Sequence, residues 1–203
     1  MKNDWSDADC VFFEDKTISD NNTSVKTFWD WDSLYFRFEV EDNDLRAYQI
    51  EQDHPKLYLD DMVEILIDAN NNKTPCWTID DIVYHINILG MKKDDRGTLD
   101  CQSDPQWNGR ALYTIQLHGT LNNSTDVDSG YVVELTIPWT ELGVTPKLGM
   151  TMGINFANSD NDGNGRQLYN WCNADPIRSP HLFGTIILAQ KNNARAVRII
   201  KQN

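Results

Sequence analysis

Three groups of residues in this sequence carry side chains suited to chemistry. The first is the run Asp160-Asn161-Asp162-Gly163-Asn164-Gly165. It sets oxygen-bearing side chains at every second position with Gly at the sharp bend, the pattern D-x-[DN]-x-[DN]-G that opens a calcium loop. The twelfth position of such a loop calls for a bidentate Glu and is Trp171 here, so another segment must supply the remaining oxygens. Asp160, Asp162 and Asn164 are therefore the expected ligands of a structural calcium, with a plain polar turn as the alternative. The second group is Glu64 and Glu134, two carboxylates of the kind a glycosidase employs. Both lie mid-strand in segments that a fold reading already explains, and nothing near them in sequence argues for a raised pKa. The third is Glu64, His85 and Asn87, whose carboxylate, imidazole and amide offer directional donors and acceptors. No G-x-S-x-G, P-loop or H-E-x-x-H signature occurs, so the chain is not read as an enzyme.

The elements that must position these groups are strands. In Leu34-Tyr35-Phe36-Arg37-Phe38-Glu39-Val40 the apolar side chains fall on one face and the polar ones on the other, as a half-buried strand requires. Ile82, Tyr84, Ile86 and Ile88 alternate likewise with Val83, His85 and Asn87, and Tyr131 to Ile137 repeats the pattern. Further strands are expected near 24–29, 62–68, 111–118, 150–157, 183–189 and 195–200. Asn- and Asp-rich turns separate them, and the best helix is the short Trp139-Thr140-Glu141-Leu142 after Pro138. Many strands without a βαβ rhythm predict one all-β domain over residues 1–203, an antiparallel sandwich of jelly-roll type. Its predicted core holds Leu34, Phe36, Phe38, Val63, Ile65, Tyr84, Ile86, Val133, Leu135, Ile154 and Phe156. If Val63, Ile65 and Ile67 point inward, Glu64 points outward, and the same parity turns His85 and Asn87 outward from the next strand.

Composition narrows the partners. Thirty-one acidic against 18 basic residues give a formal net charge of −13, which repels phosphate backbones and anionic lipid. Neither nucleic acid nor a membrane is expected as a partner, and no window holds 18 consecutive apolar residues. The opening Met1-Lys2-Asn3-Asp4-Trp5 lacks the apolar run of a signal peptide. Cys10, Cys76, Cys101 and Cys172 form no C-x-x-C pair, which argues against a zinc ribbon and leaves disulfides and buried thiols as equal alternatives.

Four segments in order resemble the family 9 carbohydrate-binding module. They are Trp29-Asp30 with Leu34-Tyr35-Phe36 and Val40-Glu41-Asp42, then Tyr58 to Asp68 with its D-x-V-E-I core. Gly130-Tyr131-Val132-Val133-Glu134 through Ile137-Pro138-Trp139 and Ser179-Pro180-His181-Leu182-Phe183-Gly184 complete the set. Together they cover about residues 24–188. The resemblance implies a non-catalytic module that binds a neutral mono- or oligosaccharide, carries calcium, acts as a monomer and accompanies catalytic domains outside the cell or in the periplasm. In the family a Glu, an Arg and an Asn contact the sugar between two Trp. Glu64 and Asn87 match, His85 stands at the Arg position, Tyr58 at the first Trp and Ile177 at the second, with Trp171 six residues earlier. The implied contacts are thus Tyr58, Glu64, His85, Asn87 and Trp171. The same sandwich superfamily includes DOMON-type haem domains, for which Met62 and His85 would be the axial pair.

Overall fold

The computed structural model describes residues 5, 6, 8–14, 21–163, 165–191 and 194–201, with no side-chain detail at 191 and 194. In chain order the strands are β1 (Asp9–Glu14), β2 (Asn22–Trp29), β3 (Ser33–Val40), β4 (Met62–Asp68), β5 (Asp81–Asn87) and β6 (Lys92–Gly97). They continue as β7 (Ser103–Asp104), β8 (Leu112–Leu117), β9 (Tyr131–Pro138), β10 (Thr151–Asp160), β11 (Gln167–Asn170), β12 (Gly184–Lys191) and β13 (Ala194–Ile200). A short helix, α1, spans Trp139–Leu142 as the sequence indicates, and 3-10 turns occupy Leu57–Leu59 and Pro180–Leu182.

Two antiparallel sheets form the predicted sandwich. One runs β1-β2-β3-β9-β8; the other runs β13-β12-β10-β4-β5-β6-β7, with β11 added beside β10. The expected core is buried between them. Phe36 and Phe38 from the smaller sheet meet Phe156 of the larger one edge-on, at ring distances of 5.9 and 5.8 Å. The β2–β3 turn closes on its own aspartate: Asp30 Oδ1 accepts the backbone N–H groups of Asp32 and Ser33, both at 2.8 Å. This is how an Asp shapes a turn without glycine.

The larger sheet departs from the expected half-buried pattern where function is sought. Every residue of β4 from Met62 to Asp68 is buried, the outward-pointing Glu64 included. The sheet is covered on its outer face. Segment 46–60 lies across one end, held where Asn87 Nδ2 donates to Gln49 O at 2.9 Å and to Asp60 Oδ2 at 2.8 Å. At the other end Leu66 and Val83 pack under Trp77, Ile177 and Phe183, an apolar cluster separate from the inter-sheet core. A disulfide joins Cys76 to Cys101, while Cys10 and Cys172 are free thiols, half-buried rather than buried.

Candidate functional site

Between these two covers lies a row of charged side chains. Glu64 of β4 and His85 of β5 are cross-strand partners, which brings their side chains together on the outer face. Glu64 is only 2% exposed, and its Oε2 lies 3.3 Å from His85 Nδ1. Its Oε1 accepts Arg166 Nη2 at 2.9 Å, and Arg166 Nε donates to Ser159 Oγ at 2.8 Å. On the other side of the imidazole, His85 Nε2 is 3.3 Å from Arg178 Nη2. Arg178 also pairs with Asp95 Oδ2 and donates to Ser103 Oγ at 2.9 Å, and Lys93 sits 3.5 Å from Asp95.

A guanidinium can only donate, so in this arrangement His85 Nε2 accepts from Arg178. An imidazole that accepts at Nε2 directs its Nδ1–H at Glu64. The Glu64 carboxyl is held below its ordinary value: burial opposes its ionisation, and His85, Arg166 and Arg178 together outweigh burial. The two guanidiniums also dress the aromatic walls. Arg166 lies 5.4 Å over the Tyr58 ring and Arg178 lies 5.6 Å over the Trp77 ring.

Of the sequence-predicted contacts, Tyr58, Glu64 and His85 come together. Tyr58 stands in the 3-10 turn with 42% of its surface exposed, and Arg166 links its ring to Glu64. Asn87 shares their face but faces no opening. Both amide hydrogens are directed at Gln49 and Asp60, and its Oδ1 accepts Met91 N at 2.7 Å, so the amide is spent on the cover and on the β5–β6 turn. Trp171 lies on the other side of the sheet. It is 4% exposed and packs on inward-facing Phe156 at 5.9 Å, within the inter-sheet core. Ile177, the residue at the second clamp position, does reach the outer face, beside Trp77. Sequence reasoning missed Arg166, Arg178, Trp77 and Asp95. The first three lie on irregular segments where alternation says nothing, and Asp95 belongs to β6, whose Lys-Lys-Asp-Asp-Arg-Gly has no apolar period.

The other two readings of these residues lose their geometry. Glu134 projects from the opposite outer face, on β9 of the smaller sheet, and accepts from Arg37 at 2.6 Å and from Trp5 Nε1 at 3.0 Å. It cannot pair with Glu64 across a glycosidic bond. As for haem ligation, both His85 nitrogens are engaged by Glu64 and Arg178, and Met62 is fully buried.

Acidic side chains also collect at the start of β4. Asp42, Asp160 and Asp162 bring carboxylate oxygens within 4.8 Å of one another. Asp160 ends β10, and Asn164 lies outside the described residues. The segment after Asp160 is tied to the end of the 46–61 cover, because Asn161 N donates to Asp61 Oδ1 at 2.8 Å and Asn161 Nδ2 donates to Leu59 O. Gly163, at φ +83°, passes so near Arg46 that a Cβ would lie 2.3 Å from its Nη1. Burial first, then the charges of Asp160, Asp162 and Asp128, raises the Asp42 carboxyl to about 7. Burial and the Asp42 charge raise Asp61 to about 9. Asp42 Oδ2 is buried and has no hydrogen-bond partner among the described residues. So dense a set of buried oxygens fits a hard cation.

Comparison with known proteins bears on the fold and the family. The family model described as "Carbohydrate family 9 binding domain-like" matches residues 4–191. An endo-1,4-beta-xylanase A from Thermoanaerobacterium saccharolyticum is 25% identical over 92% of this chain, and the exoglucanase XynX of Acetivibrio thermocellus is 26% identical over 92%. The chain spans only 15% and 16% of those two proteins. Among solved structures, a family 9 carbohydrate-binding module from Caldicellulosiruptor kristjanssonii, in complex with cellotriose, superposes with a TM-score of 0.69. It is 25% identical, over 94% of this chain and 87% of that one. A putative carbohydrate-binding protein from Bacteroides uniformis shares the fold at a TM-score of 0.66 and 15% identity, over 88% of this chain and 85% of that one. With the family match running from residue 4 to residue 191, this chain belongs to the family 9 carbohydrate-binding modules, which bind rather than cleave.

Proposed function

We propose that the outer face of the larger sheet binds a neutral mono- or oligosaccharide between Tyr58 on one side and Ile177 with Trp77 on the other. The observation that carries the reading is the chain Arg166–Glu64–His85–Arg178–Asp95, in which donors and acceptors are already fixed before any ligand arrives. Hydroxyl groups need both kinds of partner in fixed directions, and fixing them in advance lowers the cost of ordering on binding. Tyr58 would offer its ring to the C–H surface of a sugar. Glu64 would take hydroxyls on its remaining lone pairs, with His85 as the ligand-site residue that holds the carboxylate and Arg178 in place. Asn87 and Trp171 serve in support, Asn87 by pinning segment 46–60 and Trp171 by anchoring the segment that carries Ile177 and Arg178. The solved relative in complex with cellotriose makes β-linked glucose oligomers the first ligands to try. Titration calorimetry against glucose, cellobiose, cellotriose, xylobiose and mannobiose tests the reading, with binding to none of them counting against it.

A calcium ion at Asp42, Asp160 and Asp162, with Asn164 as a further ligand, belongs to the same proposal. Its support is the convergence of carboxylates and the partnerless Asp42 oxygen. Such an ion would neutralise the acidic crowd and tie the 160–165 loop to the 42–46 segment. Because the curated relatives are much longer polysaccharide-degrading proteins, we place this module as a monomeric unit beside catalytic domains, outside the cell or in the periplasm.

A further inference from the structure

We propose that a cleft at the mouth of the sandwich, on the opposite side of the larger sheet from Glu64, is a second carbohydrate site and takes a short neutral oligosaccharide. It forms where the end of the β1–β2 hairpin meets the segment after β11, because β1 lies against β11 and β13. The cleft encloses about 580 Å³, within the range of small-molecule sites. It adjoins a second groove of about 470 Å³ on the outer face of the smaller sheet. The two share Phe12, Asn22, Thr23 and Glu41, so they form one continuous depression.

Alternation along β1 sets the aromatic walls. Val11 and Phe13 pack against the inter-sheet core, which turns Phe12 outward with 74% of its surface exposed. A lone exposed ring needs no explanation; one that forms the wall shared by two grooves does. Trp171, otherwise buried in the core, lines the same cleft from the other sheet. Beside the rings stands a fixed polar pair. Asn22 is locked to Glu41 twice: Glu41 N donates to Asn22 O at 2.9 Å, and Asn22 Nδ2 donates to Glu41 Oε2 at 2.7 Å. Asn22 Oδ1 and Glu41 Oε1 are left to accept from a ligand. Asn173 adds an exposed amide at φ +53°, a left-handed conformation that Asn tolerates, and Lys201 adds an ammonium.

Acceptors, an amide and an ammonium around aromatic surface match a ring that carries many hydroxyls and has apolar C–H faces. Glu14 and Glu41 outnumber Lys201 in the cleft, on a chain of formal net charge −13, so a phosphate or a uronate is disfavoured. From Phe12 the adjoining groove follows one cross-strand row, Ser24, Glu39 and Val132, at about 4.8 Å per strand. That gives a longer sugar chain room to continue. Both sites can be filled at once, because Trp171 packs on inward-facing Phe156 whereas Glu64 points outward. The polar groups of the cleft are more exposed than the row at Glu64, so the cleft binds more weakly. Two modest sites on one module strengthen its hold on a polysaccharide through effective concentration alone. That gain rests on the sugar reading of the Glu64 row; the cleft itself does not.

The test is NMR of 15N-labelled protein titrated with cellotriose and with xylotriose, in wild type, Phe12→Ala, Glu41→Gln and Glu64→Ala, with folding checked by circular dichroism. One of the two sugars should move the amide signals of residues 12–14, 22–24 and 170–173, and still do so in Glu64→Ala. Phe12 is exposed, so Phe12→Ala should keep the fold. It should weaken binding at the cleft about two- to tenfold through lost stacking, with the signals around Glu64 and Tyr58 responding as in wild type. Glu41→Gln should weaken the cleft in the same selective way. Cleft signals that stay still with both sugars would overturn the proposal. So would cleft signals that respond equally in wild type and both cleft variants, or that fall silent in folded Glu64→Ala. A response at the cleft with none around Glu64 would support this site and count against the reading of the Glu64 row.

Discussion

His85 decides how the site responds to acid. Its Nε2 accepts from Arg178 while Nδ1–H faces Glu64, so a second proton would put an N–H against a guanidinium 3.3 Å away. Lys93 on the neighbouring strand is its cross-strand partner, and Arg166 already saturates the near side of Glu64. Protonation therefore pushes Arg178 off the imidazole and loosens the row. Affinity for a neutral sugar should fall on acidification in step with His85 protonation, checked by calorimetry across pH beside an NMR titration of the imidazole. A rise in affinity would mean that the ligand prefers the imidazolium. At this scale the sequence was partly legible. Strand parity places Glu64 and His85 on one face and even faces Asn87 the same way, but parity cannot say that segment 46–60 will consume the amide. Trp171 follows β11 on an irregular stretch, where the order of residues does not say on which side of the sheet a ring will lie.

The elements around the row are loops, and their fastening is what positions Arg178. Cys76 and Cys101 join the turn bearing Trp77 to the turn before Ser103, and Arg178 rests on both Trp77 and Ser103. The bridge spans 25 residues, for which the chain-entropy model gives about 3.5 kcal/mol. The double Cys→Ser variant should lose roughly that stability by denaturant titration and bind sugar several-fold more weakly. Unchanged affinity would show that Arg178 needs no such support. The acidic cluster makes an opposite demand of pH. Asp42 and Asp61 have folded-state values raised to about 7 and about 9, above the unfolded carboxylate range. The folded state then holds more protons, so metal-free protein loses stability as pH rises from about 4 through those values. Calcium should restore it, by roughly 2.7 kcal/mol at a hundred times its dissociation constant. Chelator should thus lower the melting temperature more at pH 8 than at pH 5, and Asp162→Ala should remove the part of the response owed to this cluster. Strand β6 escaped the sequence reading because its positions bear charges that erase the apolar period, as Lys92 and Asp94 do with an inward ion pair at 2.6 Å. Strand β11, Gln-Leu-Tyr-Asn, is too short to show a period at all.

At the scale of the whole molecule, alternating strands reveal the sandwich because a two-sheet core demands it. Phe36, Phe38 and Phe156 fill the space between the sheets, and Phe36→Ala should cost roughly 3–5 kcal/mol in urea unfolding, through lost transfer energy and the cavity left behind. What alternation could not show is that the second face of β4 is also closed, since a charged Glu64 reads as solvent-facing until Arg166 and His85 are seen to pair with it. The net charge of −13 fits a neutral polyol better than any polyanion.

The most direct measurement of the central claim is titration calorimetry of cellotriose into wild type, Glu64→Ala and Tyr58→Ala. Sugar sites bury little area and must order flexible hydroxyls, so wild-type affinity should lie between micromolar and millimolar, about −8 to −4 kcal/mol. Glu64→Ala removes a charged acceptor whose hydrogen bonds are worth roughly 1.5–3 kcal/mol and leaves Arg166 unpaired, so affinity should fall at least tenfold. Tyr58→Ala should also weaken binding through lost stacking, and Tyr58→Trp should recover or exceed the wild-type value. Wild-type affinity in both alanine variants, with the fold intact, would contradict the account and move the sugar to another face.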